Sequence, residues 1–188
     1  MGDMKNAIKG ISINLFYKKG YFATSISDIA REAGIQKSSI YYHYSNKEEI
    51  LFDILKTTMA DLDENLEAQI KGIQGAEEKM RAAIQSHVIF HMERQKEVII
   101  SDSELRGLTV DNYKNLMKMR DHYERKIQSL INEGIEKGIF PDMDFKVASY
   151  VVITVCTAVS IWFNQSGRLS KEDVAKIYTD FIIHGLKG

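Results

Sequence analysis

The stretch that most constrains the fold is a pair of short helical patterns around one tight turn, residues 26–47, with the sequence ISDIAREAGIQKSSIYYHYSNK. The first pattern, residues 26–33, places its apolar side chains on one face. Gly34 follows it, where a helix commonly ends in a left-handed residue. The second pattern, residues 38–44, carries Ser, Tyr and His side chains, few of which would be chosen to build a core. The arrangement predicts a helix-turn-helix, whose second helix enters the major groove of DNA.

The remainder of the 188 residues also has helical periodicity, with one Pro and twelve Gly. Because breakers are scarce and strand-like alternation is missing from the sequence, we expect an all-α fold of about nine helices. Pairs of residues typical of helix N-termini stand at Ser25 and Asp28, Ser45 and Glu48, and Ser170 and Asp173. The expected helices cover residues 3–19, 26–33, 38–44, 47–70, 76–94, 97–105, 110–137 and 145–165, and a last helix ends near 186.

The order and lengths of these expected helices predict two domains. Residues 1–47 form a helix-turn-helix DNA-binding domain with three helices, in which Tyr21 and Phe22 are expected to be buried. Residues 48–188 form a ligand-binding and dimerisation domain, and the helix over 47–70 is a rigid connector. The helix over 145–165 is apolar nearly all round, so it needs cover on several sides. We expect it to form a four-helix bundle with the last helix and their copies in a homodimer, the alternative being burial within one chain.

Charge and composition limit the function. Residues 1–47 hold seven Lys and Arg against three Asp and Glu, a net charge of +4, whereas the remainder carries −5. A basic head on an acidic body suits an anionic partner for the head alone. No apolar run of transmembrane length and no signal peptide is recognised, so no membrane partner is expected. The lone Cys156 fits a reducing cytoplasm and excludes an internal disulfide or a cysteine zinc site.

Enzymatic and metal chemistry find little support in the sequence. Gly-rich phosphate loops, nucleophile motifs and dense pairs of carboxylates are missing, so we expect no catalytic residue and no cofactor. His87 and His91 stand four residues apart on one helix face, which is also the spacing of a metal pair. No second motif completes such a site, and a structural or pocket role is the preferred interpretation.

The tip of the second short helix has the chemistry of base recognition, since Lys37 can donate to guanine and Ser38 can donate or accept. Residues 7–55 resemble the DNA-binding head of the TetR family of bacterial repressors. Two positions depart from the family pattern: Tyr44 stands where Phe is usual, so its hydroxyl needs a polar outlet, and Ser38 stands where Gly is common. The matching residues are Ala7, Phe16, Gly20, Tyr21, Thr24, Ile29, Ala30, Ala33, Gly34, Ser39, Tyr41, Tyr44, Lys47, Glu48, Glu49 and Leu51.

The resemblance implies a division of labour in DNA binding. The residues expected to contact bases are Ser27, Lys37, Ser38 and Tyr41. Phosphate contacts fall to Ser25, Ser39, Tyr42, His43 and Lys47, where Ser25 contributes through the helix N-terminus that it caps. The alternatives are packing for Tyr41, a solvated side chain for His43 and a plain surface lysine for Lys47. One head reads too few bases for useful specificity, so two heads on a palindrome are expected.

The resemblance also implies an effector pocket in the body, between the helices over 76–94, 110–137 and 145–165. For each candidate, plain core packing is the alternative. The segments RDHYERKIQSLINEGIEKGIF and YTDFIIHGL are similar to a branch that senses CoA thioesters of fatty or aromatic acids. A non-CoA hydrophobic effector and an interaction module without ligand control remain open. The candidate pocket residues are Phe90, His91, Met117, Tyr123, Tyr150, Thr154, Thr157 and Trp162.

Overall fold

The computed structural model describes residues 2–188, and within this range it contains ten α-helices, one short 3₁₀ helix and no β-strand. The predicted all-α class, with an N-terminal helix-turn-helix and a helical C-terminal domain, is confirmed. The helices are α1 (Gly2–Lys19), α2 (Ile26–Ala33), α3 (Lys37–Tyr41), α4 (Lys47–Ile70), α5 (Ala76–Glu93), α6 (Gln95–Ser103), the 3₁₀ helix (Leu105–Gly107), α7 (Val110–Glu136), α8 (Phe145–Thr157), α9 (Val159–Trp162) and α10 (Lys171–Lys187).

The chain divides into two compact units. The first unit comprises the chain up to Met59 together with Lys96–Met117, and the second comprises Ala60–Gln95 together with Lys118–Gly188. Both α4 and α7 contribute residues to each unit. The predicted boundary at residue 47 marks the end of the motif. By packing, the motif shares its unit with the first half of α4, the 3₁₀ helix and the start of α7.

The first unit has an apolar core beneath the helix-turn-helix. Helix α1 packs against α2, and α2 against α3. Tyr21 is buried edge-on against Phe16, with 5.2 Å between ring centroids. Phe22, also expected to be buried, is instead 67% exposed, because Tyr21 occupies the inner site and Phe22 stacks edge-on outside it. Fully buried core side chains of this unit include Ile8, Phe16, Ile29, Ile40, Tyr44, Ile50, Leu51, Ile54 and Leu55.

The hydroxyl of Tyr44 has the polar outlet that the sequence requires. Its ring is buried, and its hydroxyl donates to Asp53 Oδ2 at 2.7 Å. The ammonium groups of Lys9 and Lys5 lie 3.4 and 3.5 Å from the same oxygen. Burial alone raises the pKa of Asp53, but the Tyr44 hydroxyl and the two lysines outweigh it and the net pKa is lowered.

The second unit is organised around α5, which packs mainly against α10 and α8. Its buried apolar residues follow the helical period, as expected for a helix covered on more than one face. Ser170 and Asp173 form the predicted capping box at the start of α10. Core members from α4, α5, α7, α8 and α10 include Leu66, Met80, Ile84, Val88, Ile127, Ile131, Val152, Cys156 and Ile183.

The helix expected over 145–165 is interrupted at Ala158. The Thr157 carbonyl accepts from the Ser160 hydroxyl at 2.8 Å, and the Ile161 N–H turns instead to the Ala158 carbonyl at 3.1 Å. The side chain of Gln95 then donates to the carbonyls of Ser160 and Phe163, at 3.1 and 2.8 Å. These bonds tighten the backbone into a turn and end α9 early.

The stretch Phe145–Trp162 corrects the expectation that no apolar run reaches transmembrane length. Its mean hydropathy is 1.7, so by length and composition alone it qualifies, yet only 28% of it is buried inside the chain. The core helix of a soluble protein passes the same test, so length and composition of one such stretch do not establish a membrane span. Together α8, α9 and α10 expose Phe145, Val147, Tyr150, Val151, Val155, Ile161, Trp162, Ile177 and Phe181, which we call the apolar face.

Candidate functional site

The turn between α2 and α3 has the geometry that the motif requires. Ser25 and Asp28 form the predicted capping box at the start of α2. At the other end Gly34 has φ +65° and ψ 28°, and its N–H reaches the carbonyls of Ala30 and Arg31. The Ile35 N–H also bonds the Ala30 carbonyl, at 3.0 Å. The left-handed glycine therefore reverses the chain and satisfies the last carbonyls of α2.

Helix α3 exposes its polar tip. Ile40 is fully buried and anchors the helix, whereas Lys37 and Ser38 are exposed, Tyr41 is 53% exposed and Tyr42 is 70% exposed. The helix ends earlier than expected, because the N–H groups of residues 43 and 44 both turn back to the Ile40 carbonyl, at 2.9 Å each. Three exposed side chains on α3 and that of Tyr42 just after it are thus held in place by one buried isoleucine, which leaves them free for an external partner.

Most of the other predicted DNA contacts lie on α2 and α3 or next to their ends. Ser27 lies in the first turn of α2, and Ser39 and His43 are half-buried. His43 packs edge-on against Tyr42, with 5.1 Å between ring centroids. The Ser25 hydroxyl donates to Asp28 Oδ2 at 2.6 Å and accepts from the Asp28 N–H at 3.1 Å. Its oxygen is therefore committed to the cap, and only the helix N-terminus it supports remains for a phosphate.

Lys47 has a structural task that the sequence did not indicate. Its ammonium donates to the carbonyls of Tyr21 and Thr24, at 2.8 and 2.7 Å, and lies 4.2 Å from the Tyr21 ring centroid. Burial lowers the pKa of Lys47, against the opposing effect of Glu104. Two of its three N–H groups are used, so one remains for an anion. Its predicted phosphate contact stays a prediction.

The start of α4 is capped differently from the expected Ser45 and Glu48 pair. The Asn46 side-chain oxygen accepts from the Glu49 N–H at 2.9 Å, and Glu49 Oε2 accepts from the Ser45 N–H at 2.6 Å. Glu48 instead points to α7, where it accepts from the Thr109 N–H at 2.9 Å. The expected capping pair is therefore wrong. The N-cap is Asn46, one residue after Ser45, and the acidic partner is Glu49, one residue after Glu48.

Three of the candidate pocket residues belong to a buried polar chain in the second unit, with His87 as its centre. His87 Nδ1 lies 2.8 Å from the Tyr123 hydroxyl, and its Nε2 lies 3.1 Å from Thr157 Oγ1. Thr157 Oγ1 is also 3.4 Å from His91 Nε2, and His91 Nδ1 is 2.8 Å from the His87 carbonyl. The two imidazoles stack with 3.9 Å between centroids.

One assignment of hydrogens satisfies every polar atom of this chain. The His87 carbonyl can only accept, so His91 Nδ1 carries a proton and His91 Nε2 accepts from Thr157. Thr157 then accepts from His87 Nε2–H, and His87 Nδ1 accepts from the Tyr123 hydroxyl. Both rings are neutral, since burial lowers the pKa of His91 to about 4 and burial together with the neighbouring His91 holds the pKa of His87 well below its usual range.

The remaining pocket candidates are not gathered around one cavity. Tyr150, Thr154 and Trp162 are exposed, and Met117 belongs to the first unit. Phe90 lines an open groove of about 380 Å³ between α4 and α5, whose walls also carry Asn65, Gln69, Gln85 and Ser86. A small void of about 10 Å³ lies beside His87, lined by residues of which none was a candidate. No sequence signal distinguishes residues that face such spaces from residues that face the core.

The stacked histidines belong to the hydrogen-bonded chain. Within the described residues, no group of three or more His, Cys, Asp or Glu is placed to hold a metal ion. His87 received a structural or pocket role together with His91 from the sequence, but it was not among the eight candidate pocket residues, although it stands four residues before His91 on the same helix face. Glu48 and Asp53 were also missed as partners, since their contacts join residues far apart in the sequence.

Fold and site together define an all-helical regulator with a helix-turn-helix head and a helical C-terminal domain. Residues 12–54 match the family model described as "Bacterial regulatory proteins, tetR family". Residues 74–186, more than half of the chain, match the "Tetracyclin repressor-like, C-terminal domain". The chain belongs to the TetR family of bacterial transcriptional regulators, as its sequence resemblance indicated.

Curated relatives and solved structures agree with this assignment. The "HTH-type transcriptional repressor KstR2" of Mycobacterium tuberculosis is 28% identical over 182 residues, covering 92% of this chain and 87% of the relative. The "Fatty acid metabolism regulator protein" of Bacillus subtilis is 23% identical over 177 residues, covering 93% of this chain and 91% of the relative. The structure of AibR in complex with isovaleryl coenzyme A and operator DNA has a TM-score of 0.84 at 23% identity, covering 97% of each chain, and shows the shared fold.

Proposed function

We propose that this chain is a transcriptional repressor that binds a palindromic operator as a homodimer and is released from it by a small apolar effector. The observation that carries the proposal is the exposed face of α3, where Lys37, Ser38 and Tyr41 lie in solvent above the buried Ile40. A basic group and hydroxyls at the tip of a helix-turn-helix match the donors and acceptors of base edges in the major groove.

The contacts divide by chemistry and position. Side chains that read bases carry specificity, whereas those that hold phosphates fix the position of the head on the duplex. We assign base contacts to Ser27, Lys37, Ser38 and Tyr41. We assign phosphate contacts to the α2 N-terminus at Ser25 and to Ser39, Tyr42, His43 and Lys47.

The homodimer is supported by the apolar face. Val147, Val151 and Val155 recur at a spacing of four on α8, and Ile177 and Phe181 do so on α10, all of them exposed. An exposed apolar surface of this kind marks a protein interface. Helices α8 and α10 of two chains can cover it as a four-helix bundle about a twofold axis. The dimer then presents two heads to two half-sites.

The effector proposed is a fatty or aromatic acyl-CoA. The relatives support this class, because one is named a fatty acid metabolism regulator and another was solved with isovaleryl coenzyme A. The buried chain of His87, Thr157, His91 and Tyr123 also supports it, because a ligand carbonyl that displaces the Thr157 hydroxyl can accept from His87 Nε2–H. A hydrophobic effector without CoA is the alternative, as is an interaction module without ligand control.

Release of DNA follows from differential binding of the effector to two states. Unliganded dimers hold their heads about 34–36 Å apart, one helical turn of DNA. An effector that prefers a state with α4 tilted separates the heads and lowers the affinity for the operator.

A gel-shift experiment tests this proposal. Genomic fragments beside the gene are mixed with the purified full chain, with and without palmitoyl-CoA or isovaleryl-CoA, and with CoA and free palmitate as controls. We expect a retarded fragment that an acyl-CoA releases and CoA alone does not. No retarded fragment overturns the DNA-binding role. A retarded fragment that resists every acyl-CoA overturns this effector class in favour of another hydrophobic ligand.

A further inference from the structure

The start of α7 is held by a carboxylate from the first turn of α4. Glu48 accepts from the Thr109 N–H at 2.9 Å and from the Thr109 hydroxyl at 3.2 Å. It also accepts from the Asn112 carboxamide, at 2.9 and 3.2 Å to its two oxygens. The N–H and the hydroxyl of Thr109, just before α7, and the Asn112 side chain in its first turn therefore all donate to one carboxylate beside the helix-turn-helix.

We infer that Glu48 is a positioning residue of the DNA reader: it fixes the orientation of the helix-turn-helix on α4 and α7 and thereby sets the half-site spacing that the dimer accepts. The inference rests on the proposed function, since spacing has meaning only for a dimer on a palindrome. It adds a role to a residue that contacts neither DNA nor effector.

A second set of contacts joins the motif to the same segment. The Tyr21 N–H donates to Glu104 Oε1 at 3.2 Å, and its carbonyl accepts from Lys47 at 2.8 Å. Its ring lies so close to Gly107 that a Cβ there would stand 2.5 Å from Tyr21 Cε1. The turn between α1 and α2 is thus held between the start of α4 and the 3₁₀ helix.

These contacts give the motif two attachments in place of one. A head carried by α4 alone can twist about the axis of that helix. The bonds of Glu48 tie the first turn of α4 to the start of α7. The Tyr21–Glu104 bond ties the motif to the segment just before α7, so a twisting head has to break one of these two sets of bonds. Because α4 runs on to Ile70 and α7 to Glu136, both helices leave the first unit after making these contacts. The angle of each head in a dimer then depends on Glu48.

Plain helix capping is the competing explanation for these bonds. A carboxylate at a helix N-terminus stabilises the helix whether or not it orients anything. Capping alone predicts that loss of Glu48 lowers the stability of the protein and leaves the spacing preference unchanged. Glu49 provides the matched control, since it carries the same charge one residue later and bonds the Ser45 N–H at 2.6 Å, within its own helix end.

The experiment measures spacing preference directly. Duplexes selected by the wild-type chain from a randomised pool are remade with one base pair inserted or deleted at the centre, which moves a half-site by about 3.4 Å along the axis. Affinities of the full chain for these duplexes and for a single half-site are measured by fluorescence anisotropy. Asn112→Ala and the double variant with Glu48→Ala are included, because they separate the contact from the charge.

We expect the wild type and Glu49→Ala to prefer the selected spacing by about tenfold or more, a difference of about 1.4 kcal/mol. Glu48→Ala loses most of this preference and keeps its affinity for a single half-site. Asn112→Ala moves in the same direction, and the double variant adds nothing further. Should Glu48→Ala not fold, Asn112→Ala alone decides.

Two results overturn the inference in distinguishable ways. A Glu48→Ala or Asn112→Ala protein that discriminates between spacings as sharply as the wild type removes the positioning role and leaves the proposed function standing. A wild-type chain that selects no DNA, or binds it as a monomer, overturns the proposed function itself.

Discussion

At the scale of single residues, the site combines DNA-reading chemistry with structural work. Lys37 is exposed at the tip of α3, whereas Lys47 is half-buried and bonded to the carbonyls of Tyr21 and Thr24. Two lysines ten positions apart therefore differ in what their removal can do. Removal of Lys37 is expected to affect DNA recognition alone, whereas removal of Lys47 also breaks two hydrogen bonds that hold the turn between α1 and α2.

We expect Lys47→Ala to act on stability and on DNA binding together. Loss of its two hydrogen bonds lowers the free energy of unfolding by about 1–2 kcal/mol. Loss of a phosphate contact weakens binding to all sequences alike and reduces the salt slope by about one. Urea unfolding and anisotropy titrations at several salt concentrations measure the two effects separately.

Lys37→Ala is the control for this variant. It should leave the stability unchanged and relax the base preference across randomised sites. An unchanged salt slope in Lys47→Ala would show that its ammonium serves the carbonyls alone. Unchanged selectivity in Lys37→Ala would remove that residue from base readout.

At the scale of elements, two local features determine how helices α2 and α5 are held: the turn after α2 and the buried hydrogen-bonded chain on α5. The turn after α2 needs a left-handed residue, and Gly34 provides it at φ +65°. Nothing lies within 4 Å of a Cβ built at Gly34, so the demand for glycine comes from the backbone and not from a neighbour. The other feature is the hydrogen-bonded chain on α5, which keeps two imidazoles neutral in the core of the second unit.

Gly34→Ala should destabilise the protein by about 1 kcal/mol or somewhat more, because an L-residue is strained in the left-handed region. Gly10→Ala is the matched control, since Gly10 lies within α1 with nothing within 4 Å of its built Cβ. There alanine should stabilise the protein by about 0.5–1 kcal/mol through helix propensity. Urea unfolding compares the two. Equal effects of the same sign would contradict the strain argument.

The two buried histidines predict an acid-sensitive fold. Burial lowers the pKa values of both histidines, that of His91 from 6.5 to about 4. Between pH 6.5 and pH 4 the unfolded chain therefore binds more protons than the folded chain. Their contribution to stability is complete above pH 6.5 and is lost as the pH falls toward 4. The slope approaches about 1.4 kcal/mol per pH unit for each histidine.

Urea unfolding at a series of pH values measures this slope. His91→Gln should reduce it, and His184→Gln, at an exposed position near the end of α10, should not. A slope that is identical in His91→Gln and the wild type would place the acid sensitivity elsewhere.

At the scale of the whole molecule, the apolar face is the surface through which we propose that two chains associate. Phe181 is 75% exposed and Ile161 is 79% exposed, which is costly for side chains of this size in water. The same face explains why the stretch Phe145–Trp162 has a membrane-like hydropathy: in the proposed dimer it meets a second copy of itself.

Phe181→Lys should convert the dimer to a monomer, since a lysine at the centre of the α8 and α10 bundle cannot be buried without a partner charge. Sedimentation velocity measures the change. Phe22→Lys serves as the control, because Phe22 is 67% exposed in the first unit, away from this face. A Phe181→Lys protein that still sediments as the wild-type dimer would contradict this choice of interface.

The sequence by itself determined the class and the placement of the motif. Gly34 and the Ser25–Asp28 and Ser170–Asp173 boxes depend on residues within one helical turn of each other, so they can be predicted from spacing alone. The helices over 26–33 and 47–70 were predicted at the bounds that the structure has. The need of Tyr44 for a polar partner was likewise evident from one side chain.

Which side chains meet was decided only by the tertiary structure. Asp53 accepts from the Tyr44 hydroxyl, and Glu48 binds the start of α7 and does not cap its own helix. The break at Ala158 involves hydrogen bonds from the side chains of Ser160 and Gln95. The candidate pocket residues share helical spacing, yet they divide between the buried chain, the groove and the surface. Periodicity assigns a face to each residue, and only the packing of distant helices determines what that face contacts.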